Sequence, residues 1–317
     1  MLARHAENLF WIGRYLERAE DTARMLDVTY HGLLEGGSPD GESAWRTLLE
    51  ALQLAHPFYA EHAAVSARAV AKFLVADAAQ SSSIVAAIAR ARENARNVRE
   101  HLSSELWEAL NSCFLELRGR DLEAELAAQP HELYREIRTR CQTIAGAGAE
   151  TMPRSDPWRF LLLGRLIERA EMTCRMLRVR LPRPDSRSGF HDFLLVLNSV
   201  SALEAYTRAH GADIDPSRVI SFLLLAGDFP RSVLFCVRAA DTILMQLEGG
   251  VPIARPRRTL GRIRAELEYH DVDELRAFGE RSVLDRAQAD ILEVAELVEE
   301  AFFASGPQPQ RHIFGSA

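Results

Sequence analysis

One twenty-residue pattern occurs twice in this chain. Residues 9–28 read LFWIGRYLERAEDTARMLDV and residues 160–179 read FLLLGRLIERAEMTCRMLRV; at an offset of 151, 11 of the 20 positions are identical. A fainter echo follows at an offset of 149, where Phe73-Leu74-Val75 aligns with Phe222-Leu223-Leu224 and Ser83-Ile84 with Ser232-Val233. Spacing this steady implies that a whole unit was duplicated. The period is too long for a solenoid repeat.

The duplicated unit reads as helical. Leu9, Ile12, Leu16, Ala19, Ala23 and Leu26 recur at steps of three and four, which places them on one helix face. The same periodicity predicts helices within 43–62, 64–76, 83–117, 121–145, 157–180, 190–210, 217–226, 230–248, 258–269 and 273–304, and no segment alternates as a strand would. Asp156-Pro157 and Asp215-Pro216 look like an N-cap followed by proline at the first helical position, and Ser83 offers a cap before Ile84. Breaks are expected at Gly36–Gly41, Gly146–Pro153, Pro182–Gly189 and Gly249–Pro256. We therefore expect an all-α fold of two tandem homologous helical-bundle halves, 1–150 and 151–305, related by a pseudo-two-fold, with a flexible tail over 306–317.

Between the two copies, apolar positions drift while five charged ones hold: Arg14/Arg165, Glu17/Glu168, Arg18/Arg169, Glu20/Glu171 and Arg24/Arg175. A merely solvated face would exchange such residues freely, so these charges have fixed partners. In the first copy they fall on the face opposite Ile12 and Ala19. Three chemistries fit them. They are salt bridges that dock the helices, or a carboxylate-binding site with guanidinium forks oriented by glutamates, or a metal site on Glu17/Glu20 and Glu168/Glu171. The last lacks the Glu-x-x-His of di-iron bundles and has arginines beside it.

A second polar cluster lies in RARENARNVREHLSSELWEALN, residues 90–111. Arg92, Arg96 and Arg99 form one helical stripe; Glu93, Asn97 and Glu100 form its neighbour. Such a run is most simply a solvated face. The second copy, however, places Asp241, Thr242, Ile243 and Met245 opposite Arg92, Glu93, Asn94 and Arg96. A groove between this helix and the first helix is accordingly a candidate ligand or partner site.

Several chemistries are excluded. A net charge of -7 argues against nucleic acid. Lys72 is the one lysine, so no P-loop exists, and its apolar neighbourhood suits a snorkelling surface residue. Cys113, Cys141, Cys174 and Cys236 are scattered, as buried free thiols of a reducing compartment would be. The ten histidines show neither His-Glu-x-x-His nor Glu-x-x-His, so no metal and no cofactor is expected. No secretory signal or membrane-spanning run is seen, and we expect a cytoplasmic protein.

The segments RHAENLFWIGRYLERAEDTARMLDV, FLLLGRLIERAEMTCRML, RARENARNVREHLSSELWEALN and FLLLAGDFPRSVLFC together resemble the bacterial alpha-E domain family over roughly residues 1–305. The Glu-Arg motif of that family corresponds to Glu17-Arg18 and Glu168-Arg169. The resemblance implies an association with circularly permuted ATP-grasp proteins and transglutaminase-like peptidases. It therefore implies a partner or substrate-recognition subunit of an amide or peptide ligase system. This chain carries no ATP-grasp portion and would act on such a ligase in trans. In that role Arg14, Arg18 and Arg24 would grip a carboxylate on a peptide or amino-acid substrate, with Glu17 and Glu20 holding them. Two alternatives stand beside it: a stand-alone enzyme with Glu17 or Glu93 as general base, and a purely structural interaction module.

Overall fold

A computed structural model describes residues 1–34, 41–181, 189–247, 253–270 and 279–303. Those residues are almost wholly helical, with no strand among them. The chain separates into two compact units, Met1–Arg165 together with the chain from Phe302 on, and Leu166–Ala301.

In the first unit the order is α1 (Ala3–Leu34), α2 (Gly41–Ala51), α3 (Ala55–Glu61), α4 (Ala67–Val75), α5 (Ile84–Asn97), α6 (Ser104–Arg118), α7 (Leu122–Ala128) and α8 (Pro130–Thr151). Helix α9 (Asp156–Arg180) opens in this unit and runs on into the next. α1 packs along α5 and α8, and α6 closes the group against both of those. Alanines make this approach close. Ala87, Ala91 and Ala95 of α5 are buried, as are Leu9, Ile12, Ala19, Ala23 and Leu26 of α1. Each large apolar side chain so buried contributes roughly 1.5–3 kcal/mol of transfer free energy.

The crossing of α1 with the start of α9 is set by two glycines. A Cβ at Gly13 would lie 2.0 Å from the Leu161 carbonyl oxygen, and one at Gly164 would lie 2.0 Å from the Phe10 carbonyl oxygen. Phe10 and Leu161 are themselves 151 residues apart, so the contact is reciprocal. Only glycine lets two backbones come this near.

The second unit continues with α10 (Phe190–Ser199), α11 (Leu203–His210), α12 (Pro216–Leu225), α13 (Val233–Gln246), α14 (Ala254–Tyr269) and α15 (Glu280–Phe302). α13 packs on α12 and α14. Asp215 accepts a hydrogen bond from the Arg218 amide at 2.9 Å, and Ser83 accepts one from the Ala86 amide at 3.2 Å, both as the caps predicted.

The structure corrects several helix boundaries. The single helix expected over 83–117 is two helices, because Ser103 caps α6 by accepting from the Leu106 amide at 3.3 Å. Pro130 starts α8 and so divides 121–145. The stretches 43–62 and 190–210 each break at a left-handed residue that is not glycine, Gln53 (φ 57°) and Ser201 (φ 51°). The break expected over Gly146–Pro153 comes at the end of that stretch: α8 runs on to Thr151, and Gly148 is the place where the Leu106 side chain and the Trp158 ring come close to its backbone. The breaks at 36–40, 182–188 and 249–252, the helical pattern over 273–278 and the tail 306–317 lie outside the described residues.

Candidate functional site

Eight of the ten duplicated charges are buried, and Arg165 and Arg169 are half-buried. In the first unit Glu17 is 0% exposed, and Glu20, Arg14, Arg18 and Arg24 are buried with it, as are Asp21 and Asp27. An ionised carboxylate survives there only if it is paired and hydrogen-bonded. Glu17 meets that demand through Arg165, whose Nε and Nη2 both donate to its Oε2 at 3.1 and 3.0 Å. Glu20 accepts from Arg24 Nη2 at 2.5 Å, one helical turn on, and from Gln142 of α8 at 3.3 Å. Its other oxygen lies 4.0 Å from Arg165 Nη2. Arg14 sits over the Trp11 ring at 5.3 Å, and Arg18 over the Tyr15 ring at 5.8 Å.

The two faces assigned to α1 from sequence are therefore both interior: α1 packs along α5 and α8, and its charged residues are buried, with Glu20 meeting Gln142 of α8. Cys141, beside Glu17, Glu20 and Arg165, has its thiol pushed well up by burial, and Cys113 is raised to about 11 for the same reason. All four cysteines are free, buried thiols.

In the second unit Glu168, Glu171 and Arg175 are buried in the same way, and Arg175 donates to Glu171 as Arg24 does to Glu20. Arg169 donates to the Pro230 carbonyl at 3.3 Å, and Thr173 to the Arg231 carbonyl at 3.0 Å. These bonds fasten α9 to the turn before α13.

The α5 cluster is placed differently from the sequence expectation. α1 and α5 are packed directly together, so the groove expected between them is filled by the alanine face. Arg92 turns toward α6 instead. Its Nε donates to Asn111 Oδ1 at 3.2 Å, and its guanidinium covers Trp107 and Phe114 at 5.7 and 5.2 Å. Glu93 is half exposed and pairs with Arg96 at 2.7 Å, a surface contact that stabilises little. Asn94 is half-buried and Glu100 exposed. Glu17 and Glu93 thus belong to different environments, one interior and one at the surface.

An open cleft of about 730 Å³ lies along α7 and α8, lined by Arg120, Arg135, Glu136 and Arg140 among others. Arg120 donates to Glu136 at 2.8 Å and also pairs with Glu125, and these carboxylates raise its pKa. Lys72 pairs with Glu123 at 2.7 Å on the surface. Two histidine clusters went unnoticed in the sequence because their members lie far apart in the chain: His5 with Glu100 and His101, and Asp27 with His31 and His131.

A family model described as "a predicted alpha-helical domain with a conserved ER motif" matches residues 1–303. The chain belongs to the Alpha-E family. Glu-Arg pairs stand at Glu17-Arg18 and Glu168-Arg169, and in both places the glutamate is an interior residue. The chain is also similar to an uncharacterized protein of Mycobacterium bovis, 25% identical over 307 residues covering 90% of this chain and 34% of that protein. An uncharacterized protein of Mycobacterium tuberculosis strain H37Rv is 24% identical over the same shares. The Alpha-E chain thus spans about a third of the length of these relatives. No solved structure matches it. No helix among the described residues is long and apolar enough to cross a membrane.

Proposed function

We propose that this Alpha-E chain is a helical recognition module of an ATP-grasp-type amide or peptide ligase system. It would act without binding ATP itself, and its ER motif would serve as an internal ion-pair frame. The observation that carries this reading is Glu17, wholly buried with one oxygen accepting two hydrogen bonds from Arg165. A carboxylate locked in this way is unsuited to take a proton from a substrate arriving in water, which weakens the stand-alone enzyme. The relatives favour a module, since the matched region is only about a third of each of them. The ligase itself is inferred from the association that the family resemblance implies. Recognition of a carboxylate-bearing substrate, or of the ligase surface, would then fall to half-exposed arginines: Arg92 and Arg96 on α5, and those lining the α7–α8 cleft.

We also read the chain as one duplicated helical unit, with copies over 1–150 and 151–305. Helix bounds support this: α10, α12 and α13 begin 149 residues after α2, α4 and α5. The copy boundary differs from the division into compact units, which falls inside α9.

The test uses the full chain and a circularly permuted ATP-grasp protein from the same organism. Complex formation is followed by calorimetry, and ligation by ADP release with amide product. The reading expects a complex of micromolar affinity or tighter and product formation that depends on the chain. Unchanged ligase turnover with no complex would reject it. Amide cleavage by the chain alone would establish the enzyme reading in its place.

A further inference from the structure

His5 stands in the first turn of α1, and His101 ends the short 3-10 turn Arg99–His101 between α5 and α6. Ninety-six residues apart in sequence, they bring His5 Nδ1 and His101 Nε2 to 2.9 Å. One oxygen of Glu100, Oε1, lies 3.8 Å from the first nitrogen and 3.7 Å from the second. A point equidistant from these three atoms is roughly 2.0 Å from each, which is the bond length of zinc to imidazole nitrogen and carboxylate oxygen. The rings meet edge to face, 64° apart, and are not stacked.

We propose that His5, Glu100 and His101 form a binding site for a divalent transition-metal ion of the zinc class, with three protein ligands and the remaining positions open to water.

The donor set suits such an ion, since two imidazoles with one carboxylate are borderline ligands that magnesium and calcium do not favour. The Glu100 side chain is 61% exposed, so it can turn toward an ion. Two cationic side chains lie nearby. Arg4 is exposed to water, and Arg99 is turned to the Leu102 carbonyl at 3.3 Å and the Trp107 ring at 5.6 Å. Without an ion, one of the two nitrogens has to donate a proton to the other. Metal binding needs both of these nitrogens without a proton, so the donor ring takes its other neutral tautomer.

The other cluster shows why donor identity is not sufficient. His31 Nδ1 is 2.9 Å from the Asp27 backbone carbonyl, which can only accept, so this nitrogen is a donor and not a ligand. Arg138 lies 3.4 Å from Asp27 Oδ2 and opposes a cation there.

A bound ion would clip the start of α1 to the α5–α6 connection, a long-range tie near the seam where Asn97 Nδ2 reaches Asn8 Oδ1 at 3.5 Å. The test takes the full chain after chelator treatment and titrates it with Zn²⁺ by calorimetry and with Co²⁺ by visible absorption. The proposal expects saturable binding of one ion per chain and a thermal midpoint that rises with metal concentration. His101→Ala should weaken binding at least about 10-fold. Glu100→Gln gives the same sign at an exposed position, so its loss of affinity cannot be ascribed to misfolding. His31→Ala should leave affinity unchanged. Absence of saturable binding, or binding that survives both His5→Ala and His101→Ala with helicity intact, would overturn the site.

Discussion

Corresponding seams of the two units carry opposite charges. Near the end of α1 the buried carboxylate of Asp27 meets His131 at 2.6 Å and Arg138 at 3.4 Å, both on α8. At the matching position of α9, 151 residues on, stands Arg178. Its partners are Asp285 at 3.2 Å and Gln288 at 3.5 Å, both on α15. Asp285 and Gln288 lie 150 residues beyond Arg135 and Arg138. A second seam reverses in the opposite sense. Arg92 on α5 donates to Asn111 of α6, whereas its counterpart Asp241 on α13 accepts from Arg257 at 3.2 Å and Arg264 at 3.1 Å of α14. The ER core keeps the Glu-to-Arg pair one turn apart in both units, Glu20 with Arg24 and Glu171 with Arg175. On the duplication proposed above, the two units have held their centre while exchanging charge at the outer seams, keeping pairs and not individual residues. Such reversals also penalise pairing a helix of one unit with the wrong partner from the other.

The largest effect should follow from breaking the shared centre. Arg165→Ala leaves Glu17 buried without its two charge-assisted hydrogen bonds, and losing one partner of a buried pair costs about 3–5 kcal/mol. Urea unfolding should show this loss, with thiol labelling as a local reporter. Cys141, packed beside Glu17 and Arg165, should become reactive before Cys174 and Cys236 of the second unit. Unchanged stability, or equal reactivity of all the thiols, would mean that Glu17 is held by something other than this pair.

What was legible in the sequence follows the same division. The repeated sequence pattern, the helices and the caps at Ser83 and Asp215 could be read because each leaves a local signature. The connections at Gln53 and Ser201 could not, since they adopt a left-handed backbone without the glycine that advertises it. Ser103 was hidden because a cap inside a charged helical run looks like one more polar position. The burial of Glu17, Glu20 and Arg24 was half-legible. Their invariance between copies argued for fixed partners, but a helix with a charged stripe reads as amphipathic whether that stripe faces water or other helices. The histidines were opaque because His5 and His101 meet only through the tertiary fold.

An intermediate effect should follow from transplanting one seam into the other. Asp27→Arg places a cation against Arg138 and His131 in a mostly buried site, with an expected loss of about 1–3 kcal/mol. Adding Arg135→Asp and Arg138→Gln rebuilds around residue 27 the partners that Arg178 has in the second unit. If the units are duplicates with exchanged charge, the triple variant recovers at least about 0.5 kcal/mol of that loss, a coupling measurable in a thermodynamic cycle. Strict additivity of the three substitutions would show that the two seams are not equivalent.

The smallest effect belongs to the second unit's own seam, where Arg178 and Asp285 are each about half exposed, at 49% and 46%. Water screens such a pair, and holding two long side chains in one geometry offsets part of the attraction, so Arg178→Ala should cost about 0–1 kcal/mol. At about 1 M salt, where the screening length falls to roughly 3 Å, variant and parent should melt together. Arg138→Ala provides the contrast, since it removes a partner from the buried carboxylate of Asp27 and its cost should persist in salt. A salt-resistant loss at Arg178 would place its guanidinium in the interior and erase the distinction between the two seams.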